Sequence, residues 1–140
     1  MTNAATKTTI GSSHNPSDYG DSVTFTAIVS STAGTPIGSM TFKDGSVELG
    51  TVSLTNGSGQ ISTSALAGGT HQITAVYSGD DDFAMSTSPE LAQTVNQAAT
   101  TLNLISSSAT STYGNQVTFT ATVSPSVATG TVTFMDSGYP

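Results

Sequence analysis

The sequence predicts an all-β protein, a two-sheet β-sandwich followed by the opening part of a second one. Three observations carry that reading. Apolar and polar residues alternate in short runs, which buries one face of a strand and wets the other. Turn-forming pairs separate the runs. A block of sequence also returns 94 residues on: Tyr19-Gly20-Asp21-Ser22-Val23-Thr24-Phe25-Thr26-Ala27-Ile28-Val29-Ser30 recurs as Tyr113-Gly114-Asn115-Gln116-Val117-Thr118-Phe119-Thr120-Ala121-Thr122-Val123-Ser124. No window shows a helical period. Roughly seven short strands per ~95 residues is the spacing of a sandwich.

Taken in order, the first clear strand sets Val23, Phe25, Ala27 and Val29 on one face, with Thr24, Thr26, Ile28 and Ser30 on the other. Thr suits the wet face because it is β-branched, which favours extended backbone, and still polar. Met40 and Phe42 alternate with Ser39, Thr41 and Lys43, and Val52 and Leu54 continue the pattern. Ile73, Ala75 and Tyr77 form the next inward set, so the Tyr77 ring should be buried with its hydroxyl on a backbone partner. Asn15-Pro16, Asp44-Gly45, Asn56-Gly57, Gly68-Gly69 and Gly79-Asp80 mark the turns, and Asn56-Gly57 reads as a hairpin. The repeat resumes at Gly38-Ser39-Met40-Thr41-Phe42 against Gly130-Thr131-Val132-Thr133-Phe134. A period of this size is a domain, not a solenoid unit. The expected organisation is a complete domain over 1–97, then a partial repeat over 98–140 holding counterparts of the first three strands only.

Composition removes several function classes. Of 140 residues, 26 are Thr and 22 are Ser, while charged residues make up only 8%. That is too few for a coiled coil or a nucleic-acid binder. The net charge of −7, with Lys7 and Lys43 the only basic side chains, would repel a phosphate backbone or an anionic membrane. No apolar stretch is long enough to span a membrane. With no Cys there is no disulfide, thiolate metal site or thiol nucleophile. The stretch Met1-Thr2-Asn3-Ala4-Ala5-Thr6 has neither the charged nor the apolar region of a signal peptide, so export would need a leader or parent protein outside this numbering.

Few residues suggest chemistry. Asp80, Asp81 and Asp82 are adjacent carboxylates that a hard cation such as Ca²⁺ would relieve. The simpler reading is a solvated loop with Asp80 capping a turn, because the EF-hand spacing is absent. His14 falls in a Pro-containing turn and His71 shares parity with Ile73, at a strand end near the core edge. No Ser stands in a nucleophile elbow before a helix, and no paired nucleophile and base is visible, so no catalysis and no cofactor are expected. Lys7, Asn96 and Glu90 are the residue types of an intramolecular isopeptide bond, although an exposed Lys on a polar edge explains Lys7 more simply. Asn56-Gly57-Ser58 is the one glycosylation sequon, and turn chemistry already accounts for it.

The run Ser12-Ser13-His14-Asn15-Pro16-Ser17-Asp18-Tyr19-Gly20, followed by Val23-Thr24-Phe25-Thr26-Ala27, resembles the bacterial Ig-like domain family, group 3. So do Gly38–Phe42, Ser64-Ala65-Leu66, Thr70–Asp80 and Phe83. The resemblance implies an Ig-like sandwich used as a spacer, stalk or adhesion unit of a bacterial secreted or cell-surface protein, with no shared catalytic residues. Its expected partners are neighbouring Ig-like repeats, other copies of itself, or a cell-surface protein or glycan. Two alternatives stand beside this. One is a subunit of an extracellular filament or oligomer, in which strands of a neighbouring chain complete the second repeat through Val117, Phe119, Ala121, Val123, Val132 and Phe134. The other is a glycan-binding module, although the chain has no Trp and four Tyr, which is thin for an aromatic strip.

Overall fold

The computed structural model describes residues 2–136. They divide into two compact units, Met1–Ala98 and Ala99–Pro140. In the first, nine strands follow in order: β1 Lys7–Ser12, β2 Ser17–Asp18, β3 Val23–Ser30, β4 Ser39–Asp44, β5 Val47–Ser53, β6 Ser58–Thr63, β7 Gly69–Tyr77, β8 Ser86–Thr87 and β9 Leu91–Asn96. One sheet has the order β1-β3-β6 and the other β2-β9-β7-β4-β5, with β8 also on β7. The ladders are antiparallel except for β2 on β9, which is parallel. No helix among the described residues is long and apolar enough to cross a membrane.

The inward set read from period-two spacing is the core. Val23, Phe25, Ala27, Val29, Met40, Phe42, Ile73, Ala75 and Tyr77 are all buried, joined by Leu66 and Val95. Each large apolar side chain buried here contributes about 1.5–3 kcal/mol relative to exposure. Val52, on β5 at the end of its sheet, and Leu54, just beyond that strand, are covered only in part. The Tyr77 hydroxyl donates to the Ile37 carbonyl at 2.5 Å, closing the end of the sandwich as a polar tip on a buried ring should.

The Asn56-Gly57 turn forms as a two-residue hairpin turn closed by an antiparallel bridge, but no ladder continues from it. Both residues have positive φ, 53° and 76°, and Thr55 and Ser58 exchange backbone hydrogen bonds across them. Its arms then part, β5 pairing with β4 and β6 with β3 in the other sheet. Turn chemistry sets the backbone of two residues and leaves open which sheet each arm joins. Here the turn carries the chain across the sandwich.

The edge between the sheets is closed by side chains. Thr8, on the inward face of β1, shares a 2.6 Å hydrogen bond with Ser86 of β8, and Thr6 donates to Ser86 and to the Ala84 carbonyl. Gln93 on β9 is fully buried between Leu91 and Val95 in the alternation. Its Oε1 accepts from Ser12 at 2.6 Å, and its Nε2 donates to the His14 carbonyl at 2.6 Å and to Ser17 at 3.2 Å. Each buried polar group therefore has a partner, which removes the desolvation penalty.

In the second unit β10, Thr101–Ser106, pairs antiparallel with β11, Phe119–Ser124. The expected third strand, Gly130–Phe134, forms no ladder. Its counterpart β4 is held on both sides, by β5 and β7. Among the described residues no strand stands in those places beside 130–134.

Candidate interaction face

The repeat seen in the sequence extends to hydrogen-bond register. On β1–β3, Lys7 faces Ser30 and Ser12 faces Phe25; on β10–β11, Thr101 faces Ser124 and Ser106 faces Phe119. All four positions are shifted by the same 94 residues as the sequence block. Side-chain details repeat too. The Ser13 hydroxyl accepts from the Thr24 N–H at 2.9 Å, and Ser107 accepts from Thr118 at 2.9 Å. Identical register places the same side chains on the same face, since a slip of one residue would invert it.

That face is covered in one copy and open in the other. Phe25 and Phe42 have no exposed surface, whereas their counterparts Phe119 and Phe134 are 56% and 48% exposed. Val132, in the place of Met40, is also exposed, while Val117, Ala121 and Val123 are half-buried. Phe119, Ala121, Val132 and Phe134 line a groove of about 570 Å³ together with Leu102 and Leu104. Val123 lies in the adjoining hollow with Leu102 and Val132, and Val117 is in neither. Leu102 and Leu104 were not singled out from sequence. The signal was there: they stand 94 residues after Thr8 and Ile10, the inward positions of β1.

The acidic cluster does not converge. Asp80 Oδ1 accepts from the backbone N–H groups of Asp82 at 2.8 Å and Phe83 at 2.7 Å, so it caps the turn, while Asp81 and Asp82 are exposed. Among the described residues no three His, Asp or Glu side chains gather where they could hold a metal ion. At Asp80, Asp81 and Asp82, where Ca²⁺ was the expectation, one carboxylate is thus turned onto the backbone and the other two residues are exposed. Beside it, burial and then the nearby Asp80 charge raise the Tyr77 phenol above its ordinary value.

His71 is better engaged than its sequence position suggested. Its Nδ1 lies 2.6 Å from Asp44 Oδ2 on β4, and its Nε2 lies 2.7 Å from the Ala67 carbonyl. The Ala67 carbonyl raises its pKa, burial opposes this, and Asp44 adds to the rise. His14 is exposed and gives only its backbone carbonyl to Gln93. Lys7 and Glu90 are exposed, and the Asn96 amide donates to Asp18 at 3.0 Å, so the isopeptide residue types are not assembled. Asn56 is exposed in its turn.

A two-layer β-sandwich with a satisfied polar edge is the architecture of an immunoglobulin-like module. The model of the bacterial Ig-like domain (group 3) matches residues 8–96, and the chain belongs to that family. A solved structure of Clostridium thermocellum CbhA fibronectin(III)-like modules is similar at 22% identity and a TM-score of 0.49, over 64% of this chain and 94% of that one. No curated protein matches the chain.

Proposed function

We propose that this chain is a non-catalytic structural and adhesive segment of a larger bacterial extracellular or cell-surface protein, in which the first Ig-like unit acts as a spacer. The observation that carries the reading is where the chain enters and leaves that unit. Asn3 and Ala4 are tied to Asp80 and Asp82 at one end of the sandwich, while Asn96 is tied to Asp18 and Tyr19 at the other. A domain threaded from pole to pole adds its length to a tandem array. The Ser- and Thr-rich outer faces and the acidic charge suit such a segment. Two assays test this: antibody labelling of intact host cells, and a panel of glycan, ester and peptide substrates. Labelled cells and no turnover are expected. Turnover abolished by one side-chain substitution would overturn the reading.

A second reading, self-assembly, is favoured by the open groove over Leu102, Leu104, Phe119 and Phe134. A strand pair with one apolar face and open edges is a poor fold alone and a ready surface for strand addition. Light scattering on the full chain and on a version ending at Gln97 tests it. Assembly by the full chain alone supports this reading; two monomers at equal concentration end it.

A further inference from the structure

The unit with the open apolar face carries almost no charge. Eight of the nine acidic residues and both Lys lie within Met1–Ala98, which leaves Asp136 as the single charged side chain of Ala99–Pro140. On the face itself Leu102, Leu104, Phe119, Val132 and Phe134 are exposed around the smaller Ala121. The first unit shows what such a face takes as a cover. There Val23, Phe25, Ala27 and Val29 of β3 share one core with the opposite sheet, whose β7 brings Ile73, Ala75 and Tyr77, a large-small-large set at every second residue. β11 carries a set of the same kind in Phe119, Ala121 and Val123. It therefore offers both the surface that needs a cover, as the counterpart of β3, and the side chains that make one, in the manner of β7.

We propose that this face is a self-complementary dimer surface, on which the β10–β11 pair of a second copy of this chain packs face to face. The inference rests on the self-assembly reading and narrows it to one partner and one geometry. Two sheets pack about 10 Å apart when the side chains of their inner faces interdigitate. Alternating large and small residues allow this, with the rings of one copy seated over the Ala121 of the other. A patch that meets itself does so about a two-fold axis. Both faces are then used up, so assembly stops at two chains. Charge disfavours the first unit as the cover. Its own core is already closed, and laying its acidic surface on apolar side chains would strip water from carboxylates without pairing them. Two copies of Ala99–Pro140 bring one charged side chain each. The half-dozen residues of the face are fewer than the ~20–30 a side of a standard interface, so the dimer exchanges at micromolar rather than nanomolar concentrations.

The test is sedimentation equilibrium of the full chain over a wide concentration range. The mass should rise from 14.0 kDa to twice that value and stop there. In a second run a dye-labelled chain ending at Gln97, whose core is complete without the second unit, is mixed with the full chain and should stay a monomer throughout. Ala121→Asp sets a carboxylate in the middle of each face and should abolish the rise. Thr120→Asp, exposed on the same strand but not on the groove, should leave it. A dimer that survives Ala121→Asp, an equal loss with Thr120→Asp, growth beyond two chains, or co-sedimentation of the shortened chain would each overturn the face-to-face dimer and leave self-assembly standing. A full chain that stays at 14.0 kDa at every concentration ends both. If Ala121→Asp disturbs folding, the two runs on the unchanged face decide.

Discussion

At the scale of single residues, His71 and Gln93 decide the most. Both His71 nitrogens face acceptors, at 2.6 Å and 2.7 Å, and only the protonated ring donates at both. The folded-state pKa is raised, chiefly by the Ala67 carbonyl, with burial opposing and Asp44 adding. Its contribution to stability is therefore fully present below the ordinary His value of about 6.5 and is lost as pH rises through the raised folded value. Urea unfolding followed from about pH 5.5 upward should show that decline, and His71→Gln should flatten it. At the acid end His71→Gln should cost about 1–2 kcal/mol, as expected for a part-exposed charged hydrogen bond. Gln93 poses a different test. Gln93→Leu removes the bonds to Ser12, Ser17 and the His14 carbonyl and leaves the buried Ser17 hydroxyl without its Gln93 donor, while Ser12 and the His14 carbonyl keep their own 3.0 Å bond. It should destabilise by about 1–3 kcal/mol, measured as a lower urea midpoint with unchanged slope.

At the scale of elements, alternation made the core strands legible. β3, β4 and β7 carry strict apolar parity at Val23–Val29, Met40–Phe42 and Ile73–Tyr77, and those residues are buried. Parity alone could not rank Val52 and Leu54, because it does not say that β5 sits at a sheet edge and stops at Ser53. It also passed over Gln93, whose burial depends on partners from the Ser12–Ser17 stretch, far off in the chain. Leu102 and Leu104 were hidden by short-range reading and legible in the repeat. In the acidic triplet the simpler reading, Asp80 capping a turn, is what the backbone N–H groups of Asp82 and Phe83 show. Turn glycines are the sharpest element-scale test. Gly57 has a φ of 76°, and a Cβ there would lie 2.9 Å from the Val29 carbonyl oxygen, which is backbone and cannot swing away. Gly57→Ala should cost about 2–3 kcal/mol by strain and clash, seen as a fall in Tm of roughly 10 °C or more for a domain this size. Gly45 has a comparable φ of 58° but open space at its Cβ, so Gly45→Ala should cost less.

At the scale of the whole molecule, the family membership and the course of the chain through the first unit make one argument. The bacterial Ig-like match covers residues 8–96, and the parallel pairings of that unit's first and last segments run from Ala4–Phe83 to Asp18–Asn96. A hairpin-like module would return its ends to one pole and add little reach to an array. This one separates them by the run from Ala4–Phe83 to Asp18–Asn96, about 40 Å at ~3.3 Å per extended residue. The separation is the central claim, because the spacer role depends on it. Spin labels at T2C and Q97C, read by pulsed dipolar spectroscopy on the full chain, measure it directly. A single distance distribution centred near 40 Å is expected; one centred below about 25 Å would place both ends at one pole and contradict the account.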